Sequence, residues 1–256
     1  KLTLTISFLI LKFNVSSFFE KERNCLIDLS HRCSLECSMC QRQMYYKGEY
    51  GNKVPGKDLP LESVEMILNN FKKVSLGGQL SDPIHYPHFI EVLKMCKDRG
   101  TLVRIQTASS YKPESFFMKA FETYDRADWQ FGIDGLPSQS HKYRKNQDGE
   151  KLFKIMCEGA KILKFKPIWQ YIVFKYNCSY EDMKKAYDTA NEIGFTEFEI
   201  IDTHRAPVGQ LVDKKEFNEN LDKLEIYVQQ LKDKIGPNLW KTKLTKLKIS
   251  VTPRTA

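Results

Sequence analysis

The chain lacks any long uncharged apolar run. The longest near its start, Leu4 to Leu11, is far too short to cross a bilayer, so no membrane association is expected. No clear small-residue cleavage site precedes Cys25, which a secretory signal would need. No low-complexity tract or linker breaks the 256 residues into separate blocks. Paired CxxC knuckles are missing, and no cysteine follows Cys178. The seven cysteines are odd in number and unevenly placed, which excludes a secreted disulfide framework and points to a reducing, cytoplasmic setting. The chain has no initiator Met, and a fragment of a longer protein is expected.

What is present is enough for a packed domain. Hydrophobic residues make up 41% and aromatics 12%, which rules out wholesale disorder. Lys and Arg number 40 against 32 Asp and Glu, a net charge of +8. That surplus either favours an anionic substrate, such as a nucleotide, RNA or acidic peptide, or serves only solubility.

Three of the cysteines fall within eight residues, in the stretch His31-Arg32-Cys33-Ser34-Leu35-Glu36-Cys37-Ser38-Met39-Cys40. The CxxxCxxC spacing lets three thiolates close round one iron–sulfur cube. A [4Fe–4S] cluster normally takes four protein thiolates, so three leave one iron open, as a catalytic metal site requires. The competing reading is a zinc site with His31 or Cys25 as fourth ligand. His31 gives a tight bite, and Cys25 sits among apolar strand residues. Cys96, Cys157 and Cys178 read as packing residues.

The rest of the chain alternates strand and helix. Strands are expected at Asn24 to Leu29, Lys73 to Leu76, Thr101 to Gln106, Trp129 to Ile133, Ile168 to Phe174 and Glu197 to Ile201. Between them, apolar residues recur at helical spacing after Pro60, over Pro87 to Arg99, Pro113 to Tyr124, Gly149 to Phe165 and Tyr180 to Ile193. Gly100 and Gly194 stand as helix terminators, and Gln41 to Asp58 reads as a polar, Gly-rich loop. Six such repeats predict an α/β fold with parallel strands, a partial (β/α)6 TIM-like barrel. From Phe217 to Ile235 the four- and three-residue steps predict a long amphipathic helix docked on the barrel in preference to a dimerising coiled coil. A short basic tail follows, with one β-like stretch at Leu247 to Val251. The expected organisation is an extension at 1–23 with a candidate strand, a core at 24–206, and a helix and tail at 207–256 packing on the barrel.

In parallel α/β folds, functional groups gather at the carboxyl ends of the strands. Six placements obey that rule here. The three cysteines follow the first strand, Gly77-Gly78-Gln79 the second, and Thr107 and Ser109 the third. Asp134 closes the fourth, Lys175 and Asn177 follow the fifth, and Asp202, His204 and Arg205 follow the sixth.

Over roughly Asn24 to Arg205 the chain resembles the radical S-adenosylmethionine (radical SAM) superfamily, whose cluster motif is the CxxxCxxC of Cys33, Cys37 and Cys40. The resemblance implies that SAM chelates the open iron. An electron from the cluster then cleaves the C5′–S bond to a 5′-deoxyadenosyl radical that abstracts a substrate hydrogen. An external donor such as flavodoxin or ferredoxin would supply the electron. Met39 would lie against the adenine, and Gly77-Gly78-Gln79 is similar to the family's Gly-Gly-Glu-Pro turn, which meets the SAM ammonium. Phe131-Gly132-Ile133-Asp134-Gly135-Leu136, with His141 and Arg144 after it, is similar to the family's Ser-Ile-Asp-Gly strand end. It would place Asp134 near the ribose and Arg144 near the SAM carboxylate. Thr107 is a further cofactor contact by its rim position, and Val173 an adenine-wall residue.

The chain departs from the pattern in three places. Gln79 replaces Glu and gives up a charge-assisted bond, Gly132 replaces a ribose-binding Ser, and Thr107-Ala108-Ser109 replaces Thr-Asn-Gly. The alternative class is a non-catalytic iron–sulfur electron-transfer or zinc-binding module. The substrate is left open among peptides, nucleotide or cofactor precursors and RNA.

Overall fold

The computed structural model describes residues 24–46, 54, 56–78, 80–235 and 248–253. The expected N-terminal strand within 1–23 and the site residue Gln79 lie outside the described residues. Seven strands form one sheet in the order of the chain: β1 (Asn24–Ile27), β2 (Lys73–Leu76), β3 (Leu102–Thr107), β4 (Asp128–Gly132), β5 (Ile168–Ile172), β6 (Glu197–Asp202) and β7 (Lys248–Pro253). Every neighbouring pair is parallel, and among the described residues β1 and β7 are the two edges, so the sheet is a half-barrel.

Helices alternate with the strands: α1 (Gln41–Tyr46), α2 (Leu61–Asn70), α3 (Phe89–Arg99), α4 (Glu114–Thr123), α5 (Gly149–Ile162), α6 (Tyr180–Ile193) and α7 (Lys214–Ile235). The partial α/β barrel expected from the sequence is the fold found. It differs in carrying a seventh strand: the β-like stretch of the tail pairs with β6 in register, Glu197 opposite Lys248. A helix also opens the segment read as loop, because Met44 N–H donates to the Cys40 carbonyl at 3.0 Å and starts α1 directly behind the last clustered cysteine. Among the described residues no helix is long and apolar enough to cross a membrane.

The period of two along each strand divides the fold into two environments. One face carries Val74, Leu76, Val103, Ile105, Trp129, Phe131, Trp169, Tyr171, Phe198 and Ile200, all buried against the helices. The alternate positions, Ser75, Gln106, Gln130, Gln170 and Glu199, face the hollow of the half-barrel and are polar. The helices present matching apolar stripes: Phe89, Val92, Leu93 and Cys96 on α3, Phe117, Ala120 and Phe121 on α4, and Leu152, Ile155 and Met156 on α5. Cys96 and Cys178 are buried in this layer and Cys25 and Cys157 pack on it. Phe217, Leu224 and Val228 of α7 join the same core, and Tyr227 of that helix donates to Asp188 at 2.8 Å. The long amphipathic helix therefore docks on the barrel.

The densest part of the core is aromatic. Trp129 meets Phe121 edge-to-face at 5.0 Å and stacks on Phe131 at 5.7 Å. Phe121 has no exposed surface. Replacing it with Ala should cost about 3–5 kcal/mol of stability through lost burial and an unfilled cavity. Urea unfolding followed by Trp fluorescence measures this, and a loss below about 1 kcal/mol would place the core's weight elsewhere.

Candidate active site

β1 delivers the chain into the loop that holds Cys33, Cys37 and Cys40. The loop is tied down from three sides. Glu36 N–H donates to the Lys145 carbonyl at 3.1 Å, and the Ser34 and Ser109 hydroxyls bond at 2.7 Å. Arg42, on α1, donates to the carbonyls of His31 and, at 3.1 Å, Leu80. Cys37 is buried while Cys33 and Cys40 are half-buried. Beneath the loop lies a separate apolar cluster of Leu35, Cys37, Ala108, Tyr143, Ile172, Phe174 and Ile201. Burial pushes the Cys33 thiol up to about 12, with the Asp82 carboxylate adding to it. Burial likewise raises Cys37 to about 11, opposed by the Arg144 guanidinium. Among the described residues no three His, Cys, Asp or Glu side chains gather on a single metal ion. A cube offers each thiolate a different iron, so its ligands need not converge on one point.

All three cysteines border one cavity of about 270 Å3 at the carboxyl ends of the strands. Met39, Gly77, Gly78, Thr107, Arg144 and Arg205 border it too, and its floor is made by Gln106, Gln130 and Gln170. The glycine turn is a matter of space. A Cβ at Gly77 would stand 2.0 Å from the Gln106 side-chain oxygen, and one at Gly78 2.0 Å from the Ser81 carbonyl oxygen. At Gly78, where the obstacle is backbone, only glycine lets the chain pass this close to the cavity wall.

Two buried aspartates bind the rim loops together. Asp82 accepts from Thr107 Oγ1 at 2.8 Å, Ala108 N–H at 2.9 Å, Ser109 N–H at 3.0 Å and Ile84 N–H at 3.3 Å. Asp134 has no exposed side-chain surface. It accepts from Ile172 N–H at 3.0 Å and pairs with Arg144, Nε to Oδ2, at 2.8 Å. Burial works against the Arg144 charge, but the Asp134 carboxylate outweighs it and holds the guanidinium above its ordinary value. Arg144 Nη2 would lie 2.7 Å from a Cβ at Gly132. The position where the family pattern has Ser is thus filled by the guanidinium. Gln147 adds a third staple, donating to the carbonyls of Ala108 at 2.6 Å and Gly132 at 2.8 Å.

Other rim residues are placed differently. Val173 is buried in the main core and does not border the cavity. Asn177 closes the turn after β5, accepting from Phe174 N–H at 2.6 Å and donating to the Ile172 carbonyl at 3.1 Å. Lys175 donates its N–H to the Gln210 carbonyl. Ser109 is fully buried, with His85 3.1 Å from its hydroxyl. Asp202 pairs with Lys214, and His204 is exposed. Arg205 borders the cavity, and its guanidinium has no acceptor among the described residues. Sequence reasoning did not single out Arg42, Gln147 or the three floor glutamines. A polar residue at alternate positions of otherwise apolar strands is the signal that marks the glutamines.

No protein-family model and no curated protein matches the sequence. The fold is that of the radical SAM enzymes, a partial α/β barrel. The crystal structure of Streptococcus suis SuiB superimposes with a TM-score of 0.67 at 15% identity, over 90% of this chain and 49% of that one. SuiB structures bound to S-adenosylmethionine and to the precursor peptide SuiA match similarly. Methylornithine synthase (PylB) matches with a TM-score of 0.55 at 14% identity, over 88% of this chain and 70% of that one. Escherichia coli coproporphyrinogen III oxidase (HemN), a radical SAM enzyme, matches at 0.51 and 10%, over 81% and 52%. The chain spans about half the length of SuiB and of HemN.

Two predictions test this geometry. Below its pKa a thiol is protonated, and the reactive thiolate grows about tenfold per pH unit. Alkylation of Cys33 and Cys37 by iodoacetamide in metal-free protein, followed by peptide mass spectrometry, should still be rising at pH 10. A plateau near the ordinary thiol value of about 8.5 would contradict the burial found here. Gly132→Ser should overpack against Arg144 and cost about 1–3 kcal/mol in urea unfolding, and an unchanged unfolding midpoint would contradict that crowding.

Proposed function

We propose that this chain is the catalytic core of a radical SAM enzyme. The observation that carries the reading is the sharing of one cavity by Cys33, Cys37, Cys40, the Gly77-Gly78 turn, Thr107 and three arginines. Three thiols round a cavity, with no fourth cysteine beside them, fit a [4Fe–4S] cluster with one iron left for another ligand. When bound, such a cluster supplies the electron that cleaves S-adenosylmethionine and starts hydrogen abstraction from the substrate.

The chain's own residues would do the rest. Cys33, Cys37 and Cys40 hold the cluster, and the apolar cluster under their loop keeps water from it. The backbone of Gly77 and Gly78, with Gln79, receives the SAM ammonium. Met39 packs on the adenine and Thr107 lines the same space. Asp134 and Val173 act from behind the wall: Asp134 fixes Arg144, and Val173 backs the strand. Because the Arg144 charge is already matched by Asp134, Arg205 is the better anchor for the SAM carboxylate. An external one-electron donor, flavodoxin or ferredoxin, would reduce the cluster, and the reducing cytoplasm suits seven free thiols.

Anaerobic loading with iron and sulfide should give about four irons per chain. Reduction with dithionite in the presence of SAM should then release 5′-deoxyadenosine, and Cys37→Ala should abolish both. A fully loaded protein that releases none, with an EPR spectrum indifferent to SAM, would mark an electron-transfer module instead.

A further inference from the structure

The floor of the cavity has a polarity that one carboxylate imposes. Gln106 of β3 and Gln130 of β4 are register partners, as are Gln170 of β5 and Glu199 of β6. Their side chains form a chain of hydrogen bonds. Gln106 Nε2 donates to Gln130 Oε1 at 2.6 Å, Gln130 Nε2 donates to Glu199 Oε2, and Gln170 Nε2 donates to the same oxygen at 3.3 Å. An ionised carboxylate only accepts, so both neighbouring amides must turn their NH2 groups toward Glu199. Gln130 then shows its oxygen to Gln106, which must donate in turn. The amide orientations follow from the network and from nothing else.

The two ends of this row are the consequence. Gln106 Oε1 and Gln170 Oε1 are left as acceptors without a donor among the described residues, and both side chains border the cavity. Gln130, only 3% exposed, carries the polarity between them. The floor is therefore acceptor-rich, although the chain as a whole carries +8. The other charged groups on the wall differ in kind. Arg144 is matched by Asp134, Arg42 is bonded to loop carbonyls, Asp82 is spent on backbone N–H groups, and Arg205 stands on the β6 loop at the rim.

We propose that this floor is a substrate subsite for an N–H donor, an amide or guanidinium group, and that it disfavours carboxylate and phosphate. Gln106 and Gln170 touch the ligand, while Glu199 is a positioning residue that acts through them. The proposal deepens the radical SAM reading and rests on it for the word substrate. Its test needs neither cluster nor turnover, so the two can fail separately.

Saturation-transfer NMR on the full, metal-free chain, with methylguanidinium, N-methylacetamide and acetate each at millimolar concentration, measures the preference. Methylguanidinium and N-methylacetamide should receive saturation at least threefold stronger than acetate. In Glu199→Gln the row is free to reverse, so that preference should fall to about parity. A general structural defect would weaken all three probes together and leave their ratio alone. Gln170→Leu, which removes one acceptor and keeps Glu199, should lower the two N–H probes without raising acetate, and it decides the matter if Glu199→Gln does not fold. Equal saturation of acetate in the unmodified chain, or an unchanged ratio in the variants, would overturn the proposal.

Discussion

Where a parallel ladder ends, the next main-chain N–H groups lose their carbonyl partners while staying buried, and each must find another acceptor. This half-barrel meets the requirement twice with the same device. Asp82, after β2, takes the N–H groups of Ala108 and Ser109 just past the end of β3. Asp134, after β4, takes the N–H of Ile172 at the end of β5. Each carboxylate reaches one strand over, so each locks two rim loops into a fixed spacing. The cavity walls are what those two locks hold apart.

The second lock brings its own demand. A carboxylate with no exposed surface carries a desolvation cost that only a well-made partner offsets. Arg144 is that partner, and its guanidinium needs room. Gly132 supplies the room, so the strand end lacks the side chain that the family pattern shows there. The same pairing cancels the Arg144 charge within the cavity wall. The wall's remaining unpaired cation is then Arg205 among the described residues, on a different strand end.

Charge is distributed by face and not by composition. Among the described residues most Lys and Arg side chains are exposed, where water screens their charge. The hollow of the half-barrel instead presents glutamine amides aligned by their hydrogen bonds to Glu199. The net charge of the chain is accordingly a poor guide to what its cavity accepts.

The alternation of strand and helix, the cysteine spacing and the glycine turn are local patterns, and the sequence by itself determined them. Periods of 2 and 3.6, a terminator such as Gly194 and a CxxxCxxC run need no distant partner to be recognised, which is why six strands and the cysteine loop were legible. The seventh strand was not, because Lys248–Pro253 becomes a strand only by adding to the β6 edge after a 22-residue helix. Nor were the roles of Asp82, Arg42, Gln147 and the floor glutamines. Each acts on residues tens of positions away, as Gln130 does on Glu199 and Gln147 on Ala108. Hydrogen-bond direction, the burial that raises Cys33 and Cys37, and the neutralising of Arg144 depend on which groups the curved sheet brings face to face. Only the tertiary structure decided them, because they are properties of pairs and not of residues.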